Sequence, residues 1–515
     1  MMASVFLSRV IGLCREIVIA YAGGAEASVD AYQIAFVMPE ILNHIVASGF
    51  LSVTFIPIFS RYLAEGRETE GWKVFSIILT GFGSLLLFLI VIGEWLTPEL
   101  IGIIAPGIKD PVVKADAIHM TRIILPAQLF FFIGGMLTAV QFAKEKFAVP
   151  ALAPLIYNAG IIAGGMLMFK KFGMAGFSWG VLAGSFIGNF ALQVWGAKRV
   201  GMKFSLLFDF THPDLKKYIL LTLPLMLGLT MTFSTEFFLK YFGSFLPEGS
   251  IAVLNYSLRV MLLLVGFFGQ AVGVASFPFM ARLAAENKLT EMNRLLNGTL
   301  RYLALVIPFS VLFMVLRHEV ILILFQRGRF DASATALTSN VLVFIMAGAF
   351  AFAAQTVVIR GFFAIQNTLF PAVYGTIAVI LSLPLYYFGM QKTGPQGLAL
   401  AISLAAIVQV LMLYTIWNKK SQNREYPRVQ KFYIKIIALS TAMGLCLEWF
   451  RKTVLSGFDV LTLPGSFLVC LIIGTLFLAL FIAAGHILGI SEISDLLQRI
   501  RNKLFKKNQT GQANG

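Results

Sequence analysis

Five basic side chains lie inside long apolar stretches of this sequence: Arg9, Arg15, Arg122, Lys240 and Arg259. A lysine or arginine at the centre of a membrane helix costs about 2.5–3.5 kcal/mol, so it is expected to pair with an acid or to face a cavity. Arginine in a cavity suits phosphate, because its guanidinium fork donates parallel hydrogen bonds to phosphate oxygens. The pattern therefore indicates a binding site for an anionic, phosphorylated cargo.

Three of these cations are the strongest candidates for the cargo site. Arg259 has no acid within one helical turn, so no neighbour on its own helix neutralises it. Arg9 and Arg15 share the first apolar stretch with Glu16, and Asp30 begins the next stretch. The alternative for Arg9 and Arg15 is structural ion pairing with those two acids.

The other two cations have simpler explanations. Glu236 and Lys240 are four residues apart in the favourable order on a helix, so we expect them to pair. A buried pair of this kind, like Glu16 beside Arg15, is also a candidate for gating or ion coupling. Arg122 lies near the start of its stretch and is expected to extend to the membrane interface.

The composition predicts a membrane protein. Of the 515 residues, 58% are hydrophobic and 13% are charged, against about 25% charged residues in soluble domains. About fourteen apolar stretches are long enough to cross a bilayer as helices.

The net charge of +16 is explained by the membrane topology. With a cytoplasmic N-terminus, roughly 26 Lys and Arg fall on the cytoplasmic side and roughly 10 outside. We therefore predict an inner-membrane protein with both termini cytoplasmic.

Signatures of an enzyme are missing from the sequence. The five histidines are scattered, the three cysteines show no metal-binding spacing, and no phosphate-binding loop for ATP is present. We predict a transporter with no catalytic residues, no bound metal and no cofactor. Its energy source would be a coupling cation, the membrane potential or consumption of the cargo.

The sequence also repeats itself at a constant spacing of 221 residues. An even number of spans separates equivalent points, which predicts a parallel repeat of two six-helix lobes around a central cleft, as in alternating-access transporters. The matches are Pro57, Arg61, Gly107 and Asp110 with Pro278, Arg282, Gly328 and Asp331, and Phe142, Ala143, Pro150 and Ala151 with Phe363, Ala364, Pro371 and Ala372.

This repeat divides the chain into four predicted parts. Residues 1–200 and 217–418 form the two lobes of an all-α fold. Residues 431–490 supply two extra transmembrane helices outside the repeat, and residues 491–515 form a basic cytoplasmic tail.

Several motifs resemble one known family. The segment SRVIGLCRE at residues 8–16, followed by Asp30-Ala31-Tyr32, Ala35-Phe36 and Pro39, is similar to the N-terminal signature of the MurJ/MviN lipid II flippases. These belong to the multidrug/oligosaccharidyl-lipid/polysaccharide exporter superfamily. The similarity continues through residues 105–107 (APG), 147–158 (FAVPALAPLIYN), 324–330 (LFQRGRF) and 360–371 (RGFFAIQNTLFP).

The resemblance implies both a fold and an activity. The family has fourteen helices in two six-helix lobes, with two extra helices that form a lipid groove. It moves an undecaprenyl-pyrophosphate-linked peptidoglycan precursor from the cytoplasmic to the periplasmic face. Its cavity arginines engage the pyrophosphate, and the matching residues here are Arg9, Arg15 and Arg259. Asp30 matches a functionally important acid and is expected to orient an arginine or to help close a gate.

The sequence departs from the family pattern at three places. Asn43 and His44 stand where basic residues are usual, Ser48 precedes Gly49 where an acid is usual, and Leu262 replaces a residue that is often acidic. These differences leave open a related flippase for another polyprenyl-linked glycan, of the exopolysaccharide or O-antigen type.

Two further functions are less favoured. A cation-coupled drug exporter of the same superfamily needs an embedded acid, for which Glu236 and Asp30 are candidates, but a cationic cleft argues against it. A polytopic glycan ligase or polymerase needs a large external loop, and the predicted connectors are short.

Overall fold

The computed structural model describes residues 2–44, 54–228, 230–458, 460–490 and 492. The described residues form α-helices joined by short connectors, with no strand among them. The all-α prediction is therefore confirmed. The first half of the chain contains α1 Met2–Gly23, α2 Ala27–Ala35, α3 Val37–Leu42, α4 Ile56–Ala64, α5 Glu68–Ile104, α6 Pro111–Ile124, α7 Ala127–Ala143, α8 Ala153–Phe172, α9 Ala175–Ser185, α10 Leu192–Arg199 and α11 Pro213–Gly228.

The second half continues in the same way. Its helices are α12 Thr230–Gly243, α13 Ser250–Val265, α14 Ala271–Ala285, α15 Leu289–Leu303, α16 Val306–Val315, α17 Arg317–Phe325, α18 Ala332–Met346, α19 Ala349–Ala364, α20 Leu369–Lys420, α21 Tyr426–Thr453 and α22 Leu463–Ile487. Helix α20 contains a break at Thr393 and Gly394, where the backbone leaves the helical conformation.

Many of these helices are long and apolar enough to cross a membrane. In the described part of the chain, nine helical segments meet that description. Helices α18 and α19, which meet at an angle of 43°, meet it when they are taken together. Helix α1 is 22 residues long but carries three charged residues, Arg9, Arg15 and Glu16. Helices α2 and α3 precede residues 45–53, which lie outside the described residues. The count of fourteen spans therefore stays a prediction, as does the basic tail, because of residues 491–515 only residue 492 is described.

The 221-residue spacing recurs in the geometry of the connectors. Several helices end at a residue with a positive φ angle, followed by a backbone bond that reaches back five residues, as in a Schellman cap. The three bonds in the first half are Arg67 N to Tyr62 O, Lys146 N to Gln141 O and Met202 N to Ala197 O, at 2.9, 2.8 and 3.0 Å. The equivalents are Lys288 N to Leu283 O, Asn367 N to Phe362 O and Asn423 N to Asn418 O, at 2.9, 2.9 and 3.0 Å.

The left-handed residues repeat at the same spacing. Gly66, Glu145, Gly173 and Gly201 have φ angles of 70°, 59°, 55° and 87°, and Asn287, Gln366, Gly394 and Gln422 have 57°, 56°, 62° and 51°. Non-glycine residues adopt this conformation uncommonly. Its recurrence at three non-glycine positions in the second half shows that the turn itself is repeated, whichever residue occupies it.

Two aspartates begin equivalent helices in the two halves. The Asp110 carboxylate accepts a hydrogen bond from Val112 N at 2.8 Å and caps α6. Asp331 accepts one from Ala334 N at 2.8 Å before α18. These bonds satisfy amides that a helix start leaves unpaired. At Asp331 the bond from Ala334, with one from Ser333, lowers the pKa of the carboxyl.

The chain contains two compact units. The first comprises residues 1–259, 325–341 and 368–405. In it α8 and α9 cross with glycine against glycine. A Cβ atom on Gly164 would lie 2.4 Å from Gly180 Cα, and one on Gly160 would lie 2.5 Å from Gly184 Cα. Small residues of this kind let membrane helices approach closely, where packing rather than the hydrophobic effect drives association.

The second unit comprises residues 260–324, 342–367 and 406–515. Within its described residues, α21 and α22 pack against α16 around a core that includes Ile436, Leu447, Ile473 and Phe477. Where α21 ends, Arg451 lies 2.8 Å from the fully buried Glu319 and 3.2 Å from Glu448. The two helices that follow the sequence repeat are thus joined to this unit by an apolar core and an ion-pair cluster.

Candidate functional site

A polar cavity of about 290 Å³ lies within the first unit. Residues from α1, α2, α3, α6, α7, α8, α9, α12 and α13 line it, so helices distant in sequence meet there. Its ionisable side chains, tyrosines aside, are Arg15, Glu16, Glu40, Glu236, Lys240 and Arg259.

Arg15 and Arg259 converge on one carboxylate. Glu16 Oε1 lies 2.6 Å from Arg15 Nη2 and 3.9 Å from Arg259 Nε. Arg15 Nη1 also donates to Asn158 Oδ1 at 3.1 Å, and Asn158 donates to Pro154 O at 2.8 Å. Helix α8 therefore fixes the direction of the Arg15 guanidinium.

Glu236 and Lys240 form the pair that their spacing predicted, with Oε2 and Nζ 3.5 Å apart. The pair is part of a larger group. The other Glu236 oxygen lies 3.3 Å from Arg259 Nη2, and Glu40 Oε2 lies 3.7 Å from Lys240 Nζ. Lys240 is buried, with 3% of its side chain exposed. The two acids that lie near Arg259, Glu16 and Glu236, are therefore on other helices, since α13 has no acid within one turn of Arg259.

Glu40 and Asn158 are site residues that the sequence analysis missed. A signal for Glu40 was present, because it is an acid among apolar residues and the cost of burying charge applies to acids as well. Asn158 gave no such signal, since a neutral amide in a helix has many explanations.

The cavity is balanced in charge. Its described lining contains three cations, Arg15, Lys240 and Arg259, and three carboxylates, Glu16, Glu40 and Glu236. The expected surplus of cations is therefore wrong for this cavity in the state described. The reason is that carboxylates from three different helices meet the cations, and a search along one helix does not reveal them.

Asp30 does not line the cavity. Its two carboxylate oxygens accept hydrogen bonds from Gly249 N and Ala252 N, both at 2.7 Å. These amides belong to the start of α13, where the helix dipole and unpaired N–H groups favour a negative charge. Asp30 therefore pairs with backbone instead of with Arg9 or Arg15, and it holds the helix that carries Arg259 two turns later.

A second contact fixes the same helix. Tyr256 donates its hydroxyl hydrogen to Gly24 O at 2.9 Å, just after α1 ends. Gly249, with φ of 82°, lies so close to the chain that a Cβ atom would be 1.9 Å from Ala25 O. The positions of α1 and α13, and hence of Arg15 and Arg259, are set by these contacts.

The remaining sequence candidates lie elsewhere. Arg9 is on α1, six residues before Arg15, and is not among the described residues that line the cavity. Arg122 is exposed and donates to Glu94 O at 3.1 Å, which fits an interfacial position.

The departures from the family pattern are distributed as follows. Asn43 lines the cavity, and His44 packs against the ring of Phe233 at 5.5 Å. Leu262 is partly buried on α13 and does not line the cavity. Ser48 and Gly49 lie outside the described residues. In the described part of the chain, no group of three or more His, Cys, Asp or Glu side chains is arranged to hold a metal ion.

Comparison with known proteins identifies the family. The model of the family described as lipid II flippase MurJ matches residues 19–468 of this chain. The chain belongs to the MurJ family of lipid II flippases. A Buchnera aphidicola protein named probable lipid II flippase MurJ is 27% identical over 464 residues, which cover 88% of each chain. The lipid II flippase MurJ of Burkholderia cenocepacia is 25% identical over 455 residues, 86% of this chain and 87% of that protein.

Solved structures show the same fold. A structure of lipid II flippase MurJ in an inward closed conformation matches with a TM-score of 0.73 and 24% identity, over 93% of this chain and 98% of that one. An inward-facing multidrug transporter of the MATE family matches with a TM-score of 0.67 and 15% identity, over 82% and 95% of the two chains. The chain is thus an integral inner-membrane protein with the fold that MurJ shares with MATE transporters.

Proposed function

We propose that this chain translocates lipid II, a glycan precursor linked to a polyprenyl diphosphate, across the inner membrane. The observation that carries this proposal is the convergence of Arg15 and Arg259 on one anionic oxygen, at 2.6 and 3.9 Å, inside a buried cavity. The two arginines come from α1 and α13, and both already bind a carboxylate. A diphosphate offers more oxygens of the same charge to the same donors.

In this proposal Arg15 and Arg259 hold the diphosphate of the cargo. Arg9 contributes a further cation on α1, and Asp30 acts through the start of α13, which positions Arg259. Glu16 and Glu236 keep the arginines paired when no cargo is bound, and Lys240 pairs with Glu236. No catalytic residue takes part, because translocation breaks no covalent bond.

The contacts around the end of α1 support alternating access. Backbone segments meet there without room for side chains: a Cβ atom on Gly24 would lie 2.7 Å from Arg329 O, and one on Gly328 would lie 2.4 Å from Tyr21 O. Gly107 is equally close to Ser244: a Cβ atom on it would lie 2.4 Å from Ser244 C, and its N–H donates to Ser244 Oγ at 3.0 Å. We name these contacts the α1-end seal. Release of cargo on that side requires the α1-end seal to open.

The direction of transport is part of the proposal. The distribution of Lys and Arg predicts that the start of α1 lies in the cytoplasm, and in this proposal the α1-end seal therefore faces the periplasm. Cargo then enters from the cytoplasmic face and leaves on the periplasmic face as the two predicted lobes, residues 1–200 and 217–418, rock against each other. The helices α21 and α22 are the candidates for guiding the polyprenyl tail.

Reconstitution into lipid vesicles tests the cargo site. The assay measures how much fluorescent lipid II becomes accessible on the opposite leaflet. Arg15→Ala and Arg259→Ala each remove hydrogen bonds to a charged group, worth about 1.5–3 kcal/mol. We expect each change to weaken cargo binding about ten- to hundredfold and to stop translocation.

Arg122→Ala is the matched control, since Arg122 is an exposed cation outside the cavity. It should transport like the wild type, and all three variants should reach normal membrane levels. Full activity in both Arg15→Ala and Arg259→Ala would exclude this site. A wild type that moves another polyprenyl-linked glycan but not lipid II would exclude the cargo.

A further inference from the structure

The six charged groups of the cavity form a single chain of alternating sign. The chain runs from Arg15 through Glu16, Arg259, Glu236 and Lys240 to Glu40. Consecutive members lie between 2.6 and 3.9 Å apart. Every acid except Glu40 lies between two cations, and Glu40 has only Lys240 beside it among the ion pairs of this cavity.

Lys240 is therefore shared by two carboxylates. Its Nζ lies 3.5 Å from Glu236 and 3.7 Å from Glu40, and the side chain is 3% exposed. Glu236 is neutralised only because its second oxygen lies 3.3 Å from Arg259. If Arg259 pairs with another anion, Lys240 alone is left to neutralise the carboxylates of Glu40 and Glu236. We call these two acids the Glu40–Glu236 pair.

Two buried polar atoms of residues that line the cavity have no hydrogen-bond partner. Glu16 Oε2 is buried and has no hydrogen-bond partner, and the side chain is 4% exposed. Arg259 Nε likewise donates no hydrogen bond and lies 3.9 Å from Glu16 Oε1. Unsatisfied buried polar atoms are costly, and both atoms belong to residues that line the cavity.

A diphosphate changes the balance of this chain. It brings roughly two negative charges, one for each phosphate, into a cavity whose described charges sum to zero. Burying uncompensated charge is strongly unfavourable. The arginines offset part of the new charge, and the closer Arg259 is drawn to the diphosphate, the less it neutralises Glu236. Lys240 is then the cation that remains beside the Glu40–Glu236 pair, so one negative charge of this pair is left uncompensated.

We propose that binding of the diphosphate is coupled to uptake of one proton by the Glu40–Glu236 pair. This inference rests on the proposed function and adds an energetic coupling to it. A carboxylate oxygen of the pair accepts the proton from water, which leaves one neutral acid, one carboxylate and Lys240, so the charge of this end of the chain returns to zero.

Other charged and titratable groups face the pair and belong in the design of the test. His44 interacts electrostatically with Glu236, and histidine is the side chain whose ordinary pKa lies near neutral. The remaining groups around the cavity are Arg15, Glu16, Tyr32, Tyr157, Lys240 and Arg259.

Calorimetry on the full-length purified protein tests the coupling. The probe is geranylgeranyl diphosphate, titrated in buffers of different ionisation enthalpy so that protons taken up on binding are counted. Glu40→Gln removes one acid, so Lys240 and Glu236 stay balanced when Arg259 leaves. We expect the wild type to take up about one proton more than Glu40→Gln. The titrations are made well above the pKa of the probe's terminal phosphate, about 6, so that the probe is fully ionised in both experiments.

The affinities should follow the proton count. If the wild type takes up one proton more, each rise of one pH unit should lower its affinity for the probe about tenfold more than it lowers the affinity of Glu40→Gln. At high pH the variant should therefore bind more tightly than the wild type, which a merely structural defect would not produce. Glu40→Asp keeps the acid and should restore the proton count.

Two controls isolate Glu40. Glu26→Gln removes an acid that pairs with Arg329 outside the cavity, at 3.5 Å, and should behave as the wild type. His44→Asn should keep the proton difference if the histidine does not carry the proton. A difference that disappears in His44→Asn would overturn the assignment to the Glu40–Glu236 pair.

The remaining outcomes separate this proposal from the function on which it rests. Binding of the probe with equal proton counts in wild type and Glu40→Gln would overturn the coupling alone. A wild-type affinity that depends on sodium rather than on pH, with the dependence lost in Glu40→Gln, would overturn the proton as the coupled cation. Failure of the wild type to bind the probe would overturn the diphosphate site on which the coupling rests, whereas failure to move lipid II would overturn the proposed function.

Discussion

At the residue scale, Asp30 acts on a neighbouring helix rather than on an arginine. Both carboxylate oxygens accept backbone hydrogen bonds at 2.7 Å from the start of α13. The arrangement is an N-cap supplied from another helix, with a charged acceptor where the helix dipole favours it. Because Arg259 lies seven residues after Ala252 on the same helix, the cap determines where its guanidinium points.

This role separates two substitutions of Asp30. Asp30→Ala removes both acceptors and should cost about 1–3 kcal/mol for the amides left unpaired. Asp30→Asn keeps one oxygen acceptor, so it should retain a large part of the lipid II transport that Asp30→Ala loses. Transport in vesicles and melting temperature in detergent would be measured together. Equal loss in both variants would show that the negative charge itself is required, as for a residue that binds an ion.

At the element scale, helix ends and helix crossings are built from specific backbone geometry. The Schellman caps at residues 62–67 and 283–288 have the same hydrogen bond, at 2.9 Å in both. Their left-handed residue is Gly66 in one and Asn287 in the other. The crossing of α8 and α9 depends on glycines instead, because backbone lies where a side chain would be.

Gly164→Ala should therefore destabilise the protein. Its Cβ atom would lie 2.4 Å from Gly180 Cα, and backbone cannot move aside as a flexible side chain can. Gly474→Ala on α22 is the matched control, since no atom lies within 4 Å of the added Cβ. Alanine favours a helix over glycine by about 1 kcal/mol, so the control should melt at the same or a higher temperature. A Gly164→Ala variant as stable as the control would show that the helices can separate at no cost.

At the scale of the whole molecule, transport requires the α1-end seal to open and close. The seal can be locked at Gly24, because a Cβ atom there would lie 3.4 Å from Arg329 Cβ. That separation is close to the usual 3.5–4.5 Å of a disulfide. The three native cysteines, Cys14, Cys446 and Cys470, are unpaired and would first be replaced by alanine.

We expect Gly24→Cys combined with Arg329→Cys to stop lipid II transport when oxidised and to recover it on reduction. The single variants control for the left-handed conformation at Gly24, where a side chain costs about 1–2 kcal/mol, and for the close approach of its Cβ atom to Arg329 O, at 2.7 Å. They should transport equally under both redox conditions. Undiminished transport by fully cross-linked protein, quantified by a gel shift after proteolysis between the two cysteines, would contradict alternating access through this seal.

The sequence by itself determined the features that depend on local pattern. Apolar length predicted the helices, the constant 221-residue spacing predicted the equivalent turns, and the four-residue spacing of Glu236 and Lys240 predicted their pair. The motifs predicted the family. Each of these features repeats or acts over a few residues, so its geometry is set by the chain near it.

Only the tertiary structure decided which charges meet. Glu40 joins Lys240, Glu236 reaches Arg259, and Asp30 turns to α13 instead of Arg15. These contacts depend on how far each helix is rotated and how deep it lies against its neighbours, and the periodicity of one helix fixes neither. The sequence thus predicted the three cations that line the cavity, Arg15, Lys240 and Arg259, while packing supplied the acids that balance them.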